Sequence, residues 1–162
     1  MISFIYFDVG GVAMLDFSGT NEWELLKKEM GVNKTNNAAW ENVWRRYKNE
    51  VCIDRDVDSL VPIFRDEVRL DLPEDYSLLN GFINRFKKNT SLWPVIEYAI
   101  SRYRIGLLTN MYPRMLSELF TRKLLLPKET WEIILDSSEI GFQKPDKRIY
   151  EIAQQVLSLI HI

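Results

Sequence analysis

Residues Ser3-Phe4-Ile5-Tyr6-Phe7 form an apolar, β-prone run that ends in Asp8 and is followed by Val9-Gly10-Gly11-Val12. Such a run reads as a buried parallel strand, because strands covered on both faces lose the polar alternation of half-exposed ones. A carboxylate at its carboxyl end is where open α/β sheets place their chemistry. Two later segments have the same logic: Ile105-Gly106-Leu107-Leu108 ends in Thr109-Asn110, and Gly141-Phe142-Gln143-Lys144-Pro145-Asp146 opens a helix.

Between the first two of these segments the pattern turns helical. Trp23, Leu26 and Met30 share a helix face that stops at Gly31. Trp40, Val43, Trp44, Tyr47 and Val51 recur at spacings of three and four, as do Leu60, Phe64 and Val68, and then Leu78, Leu79, Phe82, Ile83 and Phe86. Asp75 or Ser77 is placed to cap the fourth helix. Four helices without a strand exceed what a crossover between parallel strands needs. The expected organisation is an α/β unit over residues 1–16 and 91–162, a parallel Rossmann-like sheet with helices on both faces. An all-helical insertion over residues 17–90 interrupts it. In the second part, residues 93–103 read as a helix, residues 104–108 and 131–135 as strands, and helices are expected to start at Pro113 and Pro145. The last six residues are apolar enough for a strand or a helix end, and His161 among them has no partner ligand.

Composition narrows the function classes. The 162 residues carry 21 basic and 23 acidic side chains, a net charge of -2, with 46% hydrophobic residues. That is a globular composition, and without a concentrated positive face it argues against nucleic-acid binding. Cys52 is the sole cysteine, which excludes an intrachain disulfide or thiolate cluster. No apolar stretch reaches membrane-spanning length, and Asp8 interrupts the N-terminal apolar run where a signal peptide would need it continuous. A cytoplasmic protein without a membrane partner is the simplest expectation; the oligomeric state is not readable.

Each segment has its own possible chemistry. Asp8 can attack phosphorus as a carboxylate nucleophile, or simply cap a turn. Gly10 and Gly11 clear side chains from the approach of a phosphate to backbone N–H groups. Thr109 and Asn110 can hold a phosphoryl oxygen, although Thr at a strand end is commonplace. With Pro145 as the first helical residue, Lys144 lies at the positive end of a helix, which disfavours a cation by about 0.3–1 kcal/mol and so suggests a use, such as neutralising an incoming phosphate and the Asp8 carboxylate, against the alternative of a solvated surface lysine. The aromatic helix faces of Trp40, Trp44 and Tyr47 read as packing rather than as substrate contacts.

The order of these segments resembles motifs one to three of the haloacid dehalogenase-like (HAD) hydrolases, most closely in Ser137-Ser138-Glu139-Ile140-Gly141-Phe142-Gln143-Lys144-Pro145-Asp146. The resemblance implies that Asp8 is nucleophile and magnesium ligand, with the Gly10 carbonyl as a second ligand. It implies that Thr109 is a catalytic residue orienting the phosphoryl group, that Gly11 and Asn110 bind substrate, and that Lys144 screens charge. Residues 17–90 would be the cap over the site. The implied activity is a Mg2+-dependent phosphatase for a small phosphorylated metabolite. Two departures qualify it. Gly10 stands where the family's phosphatases usually have a second Asp as general acid and base, with Asp16 the next acid along the chain and no role assigned to it. The family's acidic fourth motif is not found after Lys144. This chain is therefore expected to be C-terminally incomplete and to turn over little. The alternative is a non-catalytic phosphate- or metabolite-binding regulatory member of the same fold. A dehalogenase is disfavoured, because the aromatic residue usual after that branch's nucleophile is absent.

Overall fold

The computed structural model describes residues 2–159. Strand β1 (Phe4–Phe7) pairs in parallel with β4 (Arg104–Thr109), and β4 with β5 (Ile133–Asp136), in the order β1-β4-β5. Among the described residues β1 therefore has a single sheet neighbour. The expected parallel α/β architecture is what the chain adopts.

The two faces of the sheet are covered by different partners. Ile105 and Leu107 belong to the larger core with Ile96 and Ala99 of α5 (Trp93–Ile100) and Leu116 and Leu119 of α6 (Met115–Thr121). Leu108, Ile133 and Leu135, one pleat away, pack with Ile149 and Ala153 of α8 (Lys147–Leu159), joined by Phe4 and Tyr6. The period-two alternation thus divides an almost wholly apolar sequence between two helical layers. Gly106 sits at the centre of the sheet because a β-carbon there would meet the Ile133 carbonyl oxygen at 2.5 Å and the Phe4 ring at 3.0 Å.

Between β1 and β4 the chain forms α1 (Glu22–Glu29), α2 (Asn37–Tyr47), α3 (Leu60–Glu67) and α4 (Leu78–Ile83). Ser77 caps α4 by accepting the Asn80 amide at 3.1 Å. Trp40 is fully buried and stacks on Phe64 and Trp44, the centre of the packing among these helices. Contrary to the expectation of no strand in this stretch, β2 (Met14–Leu15) pairs antiparallel with β3 (Lys87–Lys88), and Asn89 donates to the Val12 carbonyl at 2.6 Å. The pair ties the place where the chain enters the helical segment to the place where it leaves. Two-residue strands are too short to show a periodicity.

Two helix starts differ from the proline-based expectation. α6 begins at Met115, not Pro113, because Arg114 adopts a left-handed backbone (φ 70°) and ends the turn that Pro113 begins. α8 begins at Lys147, not Pro145: Asp146 precedes it and accepts the Arg148 amide at 2.9 Å, as an N-cap does. Strand β5 also begins two residues later than expected, and the buried Trp131 instead packs edge-on against Phe7 at 6.0 Å. The apolar tail is helical as far as Leu159; His161 lies outside the described residues.

Candidate functional site

The parallel pairing brings the carboxyl ends of β1 and β4 side by side, one residue short of Asp8 and two short of Thr109 at the register Phe7↔Leu107. Asp8 Oδ1 accepts its neighbour's amide, Val9 N, at 2.8 Å. The backbone then turns tightly, with Ala13 N donating to Asp8 O and Met14 N to Val9 O, and Gly11 takes φ +72°, a conformation that side chains disfavour.

Lys144 arrives from the other end of the chain. Its ammonium is 2.8 Å from Asp8 Oδ2 and donates to the Leu108 carbonyl at 3.0 Å. Asn110 holds the lysine's backbone from both sides: Lys144 N donates to Asn110 Oδ1 at 2.8 Å and Asn110 Nδ2 donates to Lys144 O at 2.9 Å. One sequence expectation is corrected here. Lys144 lies three residues before α8, so a strand-end carboxylate and carbonyl settle its charge rather than a helix terminus opposing it. Asn110's side chain is engaged with Lys144, so it acts as a brace for that loop.

Thr109 is fully buried at the end of β4, in register with Asp136, and its hydroxyl has no protein partner. A buried hydroxyl left unpaired costs about 1–3 kcal/mol. The structure thus brings Asp8, Asn110 and Lys144 into one connected group, with Thr109 beside it on the same strand end.

Asp16, to which the sequence assigned no role, folds back over the glycines. Its Oδ2 lies 3.0 Å from where a β-carbon of Gly10 would stand, and its Oδ1 accepts Ser18 N at 2.8 Å. No spacing rule signals this, since the chain must turn through β2 to bring it there. A cavity of about 340 Å³ opens beside it, lined by Gly10, Asp16 and Asn110 at one end and by Trp23, Trp44 and Phe82 among the walls. Trp44 is therefore both packing and cavity wall, whereas Trp40 is packing alone.

No family model and no curated protein sequence matches this chain. Solved structures do. A HAD family enzyme from Bacteroides thetaiotaomicron superposes with a TM-score of 0.77 at 13% identity, over 97% of this chain and 79% of that one. Its wild-type form in complex with magnesium and inorganic phosphate superposes with a TM-score of 0.68 at 16% identity, over 98% of this chain and 80% of that one. The fold is that of a HAD family enzyme.

On this HAD-like fold, the groups available to a cation just beyond the end of β1 are oxygens. Asp8 and the Gly10 carbonyl are the two that the sequence marked, and no cluster of three or more His, Cys, Asp or Glu side chains suited to a metal occurs among the described residues. Such a set fits magnesium, which binds through one or two carboxylates and keeps water and phosphate oxygens for the rest; it does not suit a soft or tightly caged metal. The far wall of the cavity is uncharged. Burial, with a smaller contribution from Asp136, pushes the Cys52 thiol up to about 11. Burial likewise raises the Tyr112 phenol far above its ordinary value, with Cys52 adding to it. Asp136 is raised by burial and held back by its hydrogen bonds from Ser138, whose amide it caps at 2.9 Å. Among the described residues no helix is long and apolar enough to cross a membrane.

Proposed function

We propose that the chain is built for phosphoryl transfer from a small phosphomonoester to Asp8, as a magnesium-dependent phosphatase of the HAD type, with residues 17–90 as its cap. The observation that carries this reading is the Asp8–Lys144 pair braced by Asn110. The two side chains are 42% and 22% exposed, and a pair that open to water adds only about 0–1 kcal/mol to stability. Three segments distant in sequence converge on an interaction that the fold hardly needs, beside a threonine hydroxyl without a partner.

In this reading Asp8 attacks the phosphorus, the bond to the alcohol oxygen breaks and the leaving alkoxide takes a proton from water, and a second water later cleaves the aspartyl-phosphate to inorganic phosphate and the free Asp8 carboxylate. Lys144 neutralises the phosphoryl oxygens and keeps Asp8 oriented, Thr109 donates its free hydroxyl to one of them, and the backbone around Gly11 approaches another. Magnesium on Asp8 and the Gly10 carbonyl would supply further charge neutralisation. The complex that the Bacteroides enzyme forms with magnesium and inorganic phosphate supports the choice of ion and anion for this chain.

The test is hydrolysis of p-nitrophenyl phosphate with magnesium, together with calorimetric binding of inorganic phosphate. Turnover that Asp8→Asn abolishes supports the phosphatase. Phosphate binding without turnover supports the non-catalytic alternative, which glycine at position 10 favours. Neither binding nor turnover would remove the phosphoryl reading altogether.

A further inference from the structure

The cavity beside the anion position has an unusual composition for a phosphate-ester site. Its walls include Phe17, Trp44, Phe82, Phe86, Met111 and Met115, and Gly10 and Asn110 form the end nearest Asp8. Among its lining residues there is no Lys, Arg or His, and the single charged side chain is Asp16, at the phosphate end against Gly10. The rings are tilted against one another, Phe17 to Phe82 at 5.6 Å and 45°, Phe17 to Phe86 at 5.5 Å and 58°, and Phe82 to Tyr112 at 5.3 Å and 54°. The volume of about 340 Å³ is at the small end of the roughly 300–1,000 Å³ usual for ligand pockets.

Resting on the phosphoryl reading above, we infer that this cavity holds the alcohol part of the substrate and selects an uncharged, flat apolar group such as an aromatic ring. A polyhydroxylated alcohol would bury hydroxyls against carbon and sulfur with few partners, and burying an unpaired polar group is costly. A second anionic group would find no cation among the lining side chains. A cationic alcohol is disfavoured for a different reason. Each indole offers it at most one face, the other being stacked, Trp23 on Phe82 at 14° and Trp44 on Trp40 at 13°. The one acid lies at the phosphate end rather than among the rings. A neutral ring needs none of these charges, and the adaptable thioethers of Met111 and Met115 suit ring edges.

The experiment is calorimetry on the full chain with magnesium, comparing inorganic phosphate, benzylphosphonate, glycerol 3-phosphate, phosphonoacetate and choline phosphate. Benzylphosphonate is expected to bind at least ~10-fold tighter than inorganic phosphate, on the scale by which apolar pockets discriminate, and the other three no tighter than phosphate. In Trp44→Ala the ratio of benzylphosphonate to phosphate affinity falls toward one. Phe86→Ala, in a less central position, gives the same readout should the first variant fold poorly. If phosphate binds and benzylphosphonate binds no better, or any of the other three binds better than it, the cavity assignment is overturned while the anion site stands. If phosphate itself does not bind, the underlying phosphoryl reading fails and this inference falls with it.

Discussion

Asp16 places a carboxylate oxygen 3.0 Å from the point where Gly10 would carry a β-carbon. The missing side chain at position 10 is thus matched by a carboxylate that returns from six residues further on. The contact is to the far end of a side chain, so it can give way. Gly106 is different, because its neighbour is the backbone of β5. Gly10→Ala should change unfolding stability by less than ~1 kcal/mol, whereas Gly106→Ala should cost about 3 kcal/mol or more, since overpacking against a fixed backbone cannot relax. Urea denaturation of the two variants checks the contrast; equal costs would mean that Asp16 is held as rigidly as the sheet.

Lys144→Met should leave the fold nearly intact and empty the site of its counter-charge. The ion pair is open to water, so the stability change is expected within ~1 kcal/mol. A charge-assisted hydrogen bond to bound phosphate is worth about 1.5–3 kcal/mol, so phosphate affinity should fall at least ~10-fold. Thermal unfolding and calorimetry on the same preparation separate the two effects, and a large loss of stability with unchanged affinity would make Lys144 a structural residue.

Thr109→Val tests whether the buried hydroxyl awaits a ligand. The substitution keeps the shape and removes an oxygen that has no protein partner. Stability should stay level or rise by up to ~1 kcal/mol, while phosphate binding weakens. A clear destabilisation would reveal a hydrogen bond within the protein instead.

Arg114 joins the helical segment to the α/β part. Its guanidinium contacts Asp56 at 2.7 Å and Asp58 at 2.9 Å, and Asp58 in turn accepts Ser77 Oγ and Leu79 N. Burial would raise Asp56, but the Arg114 and Asp58-amide hydrogen bonds outweigh it and hold the carboxyl below its usual 3.8. A depressed folded-state pKa gives stability that is present above about pH 3.8 and fades as pH falls through the folded value. Arg114→Ala should therefore cost ~1 kcal/mol at neutral pH and flatten the loss of stability below about pH 4. Denaturation midpoints at pH 7 and pH 3 measure both.

Cys52 offers a titration at the other end of the scale. Its thiol is raised from 9.0 to about 11 by burial, with Asp136 adding to it. Alkylation by iodoacetamide should be slow at pH 8 and keep accelerating up to about pH 11, because only the thiolate reacts. A raised thiol pKa also means that its contribution to stability is complete below about pH 9 and is lost as pH climbs toward 11. An alkylation inflection near the ordinary thiol value would show the cavity wall to be open to water.

The parallel strands, the acid at the end of β1 and the helical character of residues 22–83 were legible along the chain because they rest on local signals: apolar runs, spacing of three and four, and glycines at turns. Asp8, Thr109, Asn110 and Lys144 could be marked for the same reason, as residues at strand ends or beside a proline. What they do to one another was legible only in part: a lysine in the third segment could be expected to answer the Asp8 carboxylate, and it does. That Asn110 braces Lys144 across 34 residues, that Lys144 stands clear of the helix that follows it, that Asp16 folds over Gly10 and that Trp44 turns a face to a cavity while Trp40 does not are all products of packing. Sequence periodicity records which face of an element is apolar. Only the assembled sheet and helices determine what stands opposite that face, because contacts between distant segments depend on register and crossing rather than on any neighbouring residue.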